Sequence, residues 1–160
     1  MKIQHSLMTI AALSLTACAT TYDQPKEDGE FATITFEKGY KDGVGFGKAS
    51  GQEYGVIGEK GCKKPQRLAY MTWTSGKTKD ARIPAGKEIS LLAQNINFSG
   101  GMAGICASRV TFTPEAGVSY HMSLIERSGN VCFVEFVDVA ESEMPADAEV
   151  KDNFRCAYDE

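Results

Sequence analysis

The chain has no apolar stretch long enough to cross a membrane as a helix. Its most apolar segment, Leu7 to Leu15, has nine residues, whereas a membrane-spanning helix needs about 20. Lys2 places a positive charge before this segment, and a short apolar run behind a positive residue is typical of a secretory signal peptide. We therefore predict an exported protein without a transmembrane helix.

Metal ligands are also scarce. His121 is the only histidine beyond the signal peptide, and the two closest cysteines, Cys106 and Cys132, stand 26 positions apart. A zinc site would need histidines and closely spaced cysteine pairs. The sequence therefore predicts no metal and, more generally, no cofactor.

A phosphate-binding loop is missing as well. The glycine-rich run from Gly39 to Gly51 contains Gly47 and Lys48, but Asp42 and Ala49 occupy the positions where that motif needs a glycine and a serine or threonine. We interpret the run as a loop between strands, and such loops often carry binding residues.

What the chain does contain is a motif directly after the apolar segment: Leu15, Thr16, Ala17 and Cys18. These residues resemble the lipobox of bacterial lipoproteins, in which a small residue precedes the cleavage site and the cysteine carries a diacylglyceryl thioether. The resemblance implies that residues 1–17 are removed and that Cys18 is lipidated, which anchors the protein stably because two or more acyl chains enter the bilayer. Ala19, in place of the aspartate that retains such proteins in the inner membrane, implies a Gram-negative-type outer membrane, on either of its faces.

The remaining cysteines fit an exported domain. Once Cys18 carries lipid, four are left: Cys62, Cys106, Cys132 and Cys156. In an oxidising compartment an even, well-spaced set predicts two disulfides. Three pairings are possible, and the sequence does not choose among them.

The polar stretch from Ala19 to Glu30 predicts a flexible tether, residues 18–30, that could extend to about 40 Å at about 3.3 Å per residue. Residues 31–160 then form a single domain of ordinary size, with an acidic C-terminal segment. No second domain is expected.

Strand signals run through this domain. Alternating patterns rich in β-branched and aromatic residues predict six strands and a weaker seventh: Phe31 to Phe36, Arg67 to Thr74, Glu88 to Ile96, Cys106 to Thr113, Val118 to Glu126, Val131 to Val139 and, weakest, Tyr54 to Ile57. Turn residues separate them at Pro84 to Gly86, Pro114 to Gly117 and Ser128 to Asn130. We predict an all-β fold, an immunoglobulin-like β-sandwich of about seven antiparallel strands, with a small barrel as the alternative.

Alternation also assigns faces. Tyr120, Met122 and Leu124 are expected to face the core, with Ser119, His121 and Ser123 on the opposite face. In Val131 to Val139 both alternating sets are largely apolar, which predicts a central strand between two neighbours.

Catalysis is not predicted. Ser119 and Ser123 flank His121 on one face, but nucleophilic catalysis also needs a carboxylate that orients the histidine and an oxyanion hole. The sequence supplies neither in a recognisable pattern. We therefore expect a protein that is not an enzyme.

Charge is unevenly distributed. From Lys60 to Lys87 eight basic residues stand against one acid, whereas from Asp138 to Glu160 eight acids stand against two bases. The first stretch, with Tyr70 and Trp73, predicts a basic surface for anionic headgroups, glycan phosphates or an acidic partner. The alternative is a solvated face that the acidic C-terminal segment partly neutralises. Nucleic acid is not an expected partner, because the envelope lacks it.

Ser50, Gly51 and Tyr54 lie in the segment SGQEY, which resembles the Ser-Gly-x-x-Tyr segment of membrane-bound lysozyme inhibitors. Those are small disulfide-containing β-barrel lipoproteins whose serine-bearing loop enters the lysozyme cleft. The tryptophan that follows this segment in the family is absent here. The resemblance implies an inhibitory role for Ser50 and Tyr54.

Two hypotheses follow. The first is a lipid-anchored, non-enzymatic envelope protein that docks on an envelope protein or anionic glycan as a structural or accessory module. The second is an inhibitor or ligand-binding lipoprotein. The candidate partner-binding residues are Lys63, Lys64, Lys77, Lys79, Ser50, Tyr54 and Trp73.

Overall fold

The computed structural model describes residues 21–27, 29–39, 50–58, 65–72, 74–99, 102–127 and 131–155. In these ranges every regular element is a β-strand, and none of the described residues form a helix that could span a bilayer. The strands are β1 (Phe31–Glu37), β2 (Ser50–Ile57), β3 (Gln66–Thr72), β4 (Thr78–Pro84), β5 (Ile89–Ser99), β6 (Met102–Phe112), β7 (Ser119–Arg127), β8 (Val131–Asp138) and β9 (Glu149–Lys151).

Two sheets pack face to face. One has the order β4-β1-β7-β8 and the other the order β3-β2-β5-β6-β9. All pairs are antiparallel except β1 with β7, which run in the same direction. The prediction of an all-β sandwich is confirmed.

The core forms where the inner faces of the two sheets meet. Ile34, Phe36, Met122 and Leu124 are fully buried on the four-stranded sheet, as strand alternation requires. The alternation predicted for β7 is confirmed for Tyr120, Met122 and Leu124, but Ser123, on the opposite face, is also buried.

Turn chemistry matches two of the predicted reversals. Gly86 and Gly117 adopt positive φ angles of 74° and 78°, a conformation that glycine reaches without strain. The third predicted reversal, Ser128 to Asn130, lies outside the described residues.

The prediction that the Val131 to Val139 strand is central is wrong, because β8 is the outer strand of its sheet. The backbone N–H groups of Cys132 and Val134 donate to the side chains of Asn153 and Asp152, at 2.9 and 3.1 Å. Side chains rather than a neighbouring strand therefore satisfy this edge. The second apolar set of β8 remains half-buried on the outer face.

The opposite side of the sandwich, between β3 and β4, is crossed by the segment that precedes β1. Thr21 forms a parallel bridge with Arg67, and the Tyr22 N–H donates to the Arg67 carbonyl at 2.9 Å. The Gln24 side chain accepts from the Arg82 N–H at 2.8 Å. Composition predicts a free tether up to Glu30, whereas the structure attaches the chain to the domain from Thr21 onward. We call residues 21–25 the strap.

Candidate functional site

The segment Ser50 to Tyr54 forms the first half of β2, so its side chains alternate between the core and the outer face of the five-stranded sheet. Gln52 and Tyr54 point into the core, where both are 0% exposed. The Tyr54 ring stacks on Phe36 with centroids 4.6 Å apart. The structure thus places Tyr54, a candidate partner-binding residue, where its side chain has no surface to present.

Tyr54 and Gln52 join the two sheets at the point where β1 ends beside β7. The Tyr54 hydroxyl donates to the Glu37 carbonyl at 2.8 Å and accepts from the Leu124 N–H at 3.1 Å. The Gln52 amide donates to the Leu124 carbonyl at 3.1 Å and bonds both backbone groups of Gly39. Buried backbone groups left by the end of a strand need such partners, so these two side chains hold the fold together.

The alternate residues, Gly51 and Glu53, face outward and support a neighbouring tyrosine. A Cβ atom on Gly51 would lie 2.5 Å from the Tyr70 hydroxyl oxygen and 2.7 Å from its ring. The outer end of the Tyr70 ring therefore lies directly over Gly51, in space that a larger side chain at position 51 would share. It remains 40% exposed.

Glu53 connects three strands on this outer face. Its two carboxylate oxygens accept from the Arg67 guanidinium at 2.6 Å and from the Gln94 amide at 2.9 Å. The Arg67 guanidinium carbon also stands 5.0 Å from the centre of the Tyr70 ring, within cation–π range. We call Gly51, Glu53, Arg67, Tyr70 and Gln94 the Tyr70 platform.

Apolar surface continues across the same sheet. Ile105 on β6 pairs with Ile96 on β5, which in turn pairs with Gly51. Ile105 is 59% exposed. Further along, Phe154 covers Leu92 and Ala107, and its N–H donates to the Ala107 carbonyl at 2.7 Å. The C-terminal segment thus covers one part of the outer face and leaves Tyr70 and Ile105 open.

Three residues of the predicted basic surface have acidic partners. Arg67 pairs with Glu53, Lys77 with Glu37 at 2.8 Å, and Arg82 with Glu27 at 3.6 Å. Lys79 and Lys87 are exposed. Acidic partners therefore offset three of the five basic residues that the structure describes in this stretch.

In the described residues, acidic side chains of the C-terminal segment accept hydrogen bonds from backbone N–H groups. Asp147 accepts from the Thr113 N–H at 2.8 Å, Asp152 accepts from Val134, and Asp138 accepts from Ala140. Glu27, Glu37 and Glu53, which lie on other segments, pair with three residues of the basic stretch.

The structure supplies the carboxylate that the sequence pattern around His121 lacked. Nε2 of His121 lies 2.9 Å from the Glu37 carboxylate, across the parallel β1–β7 pair. Hydrogen bonds from Lys77 and then from His121 hold the pKa of Glu37 below its usual range.

Neither flanking serine completes a catalytic group among the described residues. Glu37 is the one hydrogen-bond partner recorded there for the His121 ring. Ser123 is buried, and a Cβ atom on Gly39 would lie 2.8 Å from its hydroxyl oxygen, so the chain after β1 covers it. Glu37 and His121 therefore form a hydrogen-bonded pair that joins two strands.

The turn between β3 and β4 lies beside this pair. The Lys38 ammonium donates to the carbonyls of Thr72 and Ser75 at 2.6 and 3.0 Å, and burial lowers the pKa of Lys38. These bonds fix the turn that precedes Lys77. Strand register places Ser50, Lys77 and Lys79 at the end of the sandwich where β3 finishes.

Cys106 and Cys132, two of the four candidate disulfide cysteines, are bonded to each other. The bond joins β6 to β8, and therefore one sheet to the other. Cys18, Cys62, Cys156, Lys63, Lys64 and Trp73 lie outside the described residues. Among the residues that are described, no cluster of three or more histidine, cysteine or acidic side chains is placed to bind a metal.

Only weak signals in the sequence point to the Tyr70 platform. Tyr70 stood out only as an aromatic residue near lysines, and nothing marked Glu53, Gln94 or Ile105. Glu53 and Arg67 are 14 positions apart and Glu53 and Gln94 are 41 apart, so their contact depends on strand register. The period-two alternation around Gly51 was the one available clue that Gly51 and Glu53 share a face.

Comparisons of the chain with protein-family models, with curated protein sequences and with solved structures find no match.

Proposed function

We propose that the protein is a lipid-anchored envelope protein that acts by docking, not by catalysis, on another envelope component. The observation that carries this proposal is the Tyr70 platform together with Ile105. A half-exposed tyrosine that contacts an arginine, on the same sheet face as an exposed isoleucine three strands away, is the kind of surface that dominates binding energy in protein interfaces.

The rigidity of the platform supports the same role. Gly51 and Glu53 belong to a strand whose other side chains are fixed in the core, so Tyr70 is held in one orientation before a partner arrives. A preorganised surface loses little side-chain entropy on binding.

The test uses the full-length acylated protein in detergent, with partners captured from envelope membranes and identified by mass spectrometry. Exchanging Tyr70 and Ile105 for Ser should weaken capture by about tenfold or more, since truncation at the centre of an interface typically costs more than 1 kcal/mol. Lys87→Glu is the matched control, because Lys87 is exposed at the other end of the sandwich, and it should leave capture unchanged. Labelled palmitate should be incorporated by the unaltered chain and not by Cys18→Ala.

A second arm tests the basic surface. If Lys77→Glu with Lys79→Glu abolishes capture while the Tyr70 and Ile105 variant captures normally, the partner is held by charge, and its binding should weaken as the Debye length falls from about 10 Å at 0.1 M salt to about 3 Å at 1 M. Normal capture by both variants would reject docking through either surface.

The alternative, an inhibitor of a secreted lysozyme, has one supporting observation. Ser50 is the first residue of β2, and the side chains of Gln52 and Tyr54 in the same strand are buried in the core. The core therefore holds the backbone of β2 in place directly after Ser50. Under this alternative, purified protein inhibits lysozyme and Ser50→Arg relieves the inhibition, while an assay without inhibition would leave docking as the function.

A further inference from the structure

The strap determines how much free chain separates the domain from its anchor. A bridge to Arg67 holds Thr21, and the side chain of Tyr22 packs against the core. Partial burial raises the pKa of the Tyr22 hydroxyl. Further contacts run along the segment up to β1, since Glu27 pairs with Arg82 and the Glu30 carbonyl accepts from the Ala85 N–H at 3.3 Å.

Only three residue steps separate Cys18 from Thr21. At about 3.6 Å per residue they span at most about 11 Å. A free tether as far as Glu30 would allow about 40 Å at about 3.3 Å per residue, which is more than the length of any strand in the domain.

The direction of the strap determines which end is close to the anchor. Thr21 pairs with Arg67 in parallel, and Arg67 is the second residue of β3, so the strap begins at the end of the sandwich where β3 starts. We call this end the proximal end. It carries the first residues of β1 and β3, the last residue of β4 and the turn through Lys87. The distal end carries Thr72, Gly76 and Glu37.

We propose that the proximal end rests directly on the phospholipid headgroups of the leaflet that holds the anchor, with the strands rising away from the membrane. This inference depends on the proposed lipidation of Cys18. The short chain between Cys18 and Thr21 imposes this arrangement. Exposed charges of both signs lie on and beside this end, so it has no strong net charge to attract it to headgroups: Asp23, Lys26, Lys87 and Glu88. Headgroup attraction is therefore not needed to hold it.

The arrangement has a direct consequence for docking. Tyr70, Ile105 and the first residue of β2 lie toward the distal end. They would face away from the lipid surface, where a partner in the adjoining compartment can reach them.

The test measures energy transfer from the protein to labelled lipid. The full-length acylated protein is reconstituted in vesicles of phosphatidylethanolamine and phosphatidylglycerol that contain a headgroup-labelled acceptor. A dye is attached through an azide-bearing amino acid at position 87 in one sample and at position 76 in another. The two positions lie at opposite ends of β4, about 20 Å or more apart given about 3.3 Å per residue, so transfer should be clearly stronger from position 87.

Two comparisons show whether the strap sets this difference. Inserting about 12 Gly and Ser residues between Ala19 and Thr20 adds a flexible chain with a root-mean-square length of about 19 Å, and the difference between the two positions should shrink or vanish. Raising the salt to about 1 M, where the Debye length is about 3 Å, should leave it unchanged.

Amide hydrogen exchange provides a readout independent of the vesicles. The Tyr22 N–H should be protected in both the acylated protein and the soluble Cys18→Ala form, because its acceptor belongs to the domain. Exchange at the rate of an unfolded chain would overturn the inference.

The remaining outcomes are distinguishable. Equal transfer from positions 76 and 87 in acylated protein, or a difference that salt abolishes, would overturn the orientation and leave the anchor intact. A mass spectrum without an acyl group on Cys18 would overturn the anchor and the orientation together.

Discussion

Tyr54 belongs to a recognisable sequence motif, but its side chain stabilises the core. Its hydroxyl bonds two backbone groups at the point where β1 ends beside β7, the Glu37 carbonyl and the Leu124 N–H. Tyr54→Phe keeps the stacking on Phe36 and leaves both groups buried without that partner.

We expect Tyr54→Phe to lower the free energy of unfolding by about 1–3 kcal/mol, the usual cost of an unsatisfied buried group. Urea unfolding followed by circular dichroism measures the change. Tyr70→Phe is the matched control, and because Tyr70 is half-exposed it should shift stability by no more than about 0.5 kcal/mol. Equal effects of the two substitutions would contradict the structural role of Tyr54.

Glu37 makes stability depend on pH. Lys77 and His121 lower its pKa in the folded protein below the usual value of 4.5, so the ionised carboxylate favours the folded state. This contribution is fully present above the pKa of the unfolded chain and is lost as the pH falls through the lower folded value.

The melting temperature should therefore fall in acid, and Glu37→Gln should reduce the part of that fall that lies below the usual pKa of 4.5. Thermal melts at several pH values measure it. Glu115→Gln, at an exposed carboxylate on the turn before β7, is the control and should reproduce the unaltered profile. A Glu37→Gln profile parallel to that of the unaltered chain would show that the ion pair has no effect on folding.

At the scale of the strands, the disulfide lies where the two sheets meet. Cys106 and Cys132 join β6 to β8 across a separation of 26 residues, and the neighbouring edge of β8 is closed by Asp152 and Asn153. Cross-linking a loop of this length restricts the unfolded chain by about 3.5 kcal/mol in the chain-entropy account.

Exchanging both cysteines for Ala should therefore lower the free energy of unfolding by about 2–4 kcal/mol. Chemical denaturation without reductant gives the value. A matched measurement on the unaltered protein with reductant should show at least the same loss, and no loss in either sample would mean that the bond does not constrain the unfolded chain.

The strands that could be predicted are those in which apolar and polar residues alternate along the sequence. Alternation identified β1, β5 and β7 because their inner positions are apolar and their outer positions are mostly polar. β4 was missed because Ala81 and Ile83 are its only two buried residues and charged residues occupy most of the rest. β9, with three residues, is too short for a periodic signal.

Sheet order and edges could not be read in this way. β8 resembles a central strand because two sets of apolar residues alternate along it, yet Asn153 and Asp152 satisfy its free edge. That solution depends on a segment about 20 residues later folding back, which no local pattern encodes. The attachment of the strap was missed for the same reason, because Arg67 and Arg82 contact it from distant strands.

At the scale of the whole molecule, the outer face of the five-stranded sheet contains some residues that the sequence indicates and others that only strand register brings together. Gly51 and Tyr54 of β2 both belong to the motif in the sequence, but they lie on opposite faces of the sheet. Gly51 supports the exposed Tyr70, and Tyr54 is enclosed by the opposite sheet. The residues available to a partner were identified only after register had placed Arg67, Tyr70 and Gln94 beside them.

The parallel pairing of β1 with β7 also determines the order in which the molecule can fold. β1 lies between β4 and β7, and Ile34 aligns with Tyr120. When the chain emerges N-terminus first, the β2–β3 and β5–β6 pairs can form early, but the edge of β1 that pairs with β7 waits for a partner from the last third of the sequence. Pairings so distant in sequence slow folding. The four-stranded sheet is therefore expected to close last, and until then the unpaired edge of β1 is where a chaperone, or an aggregating neighbour, would bind.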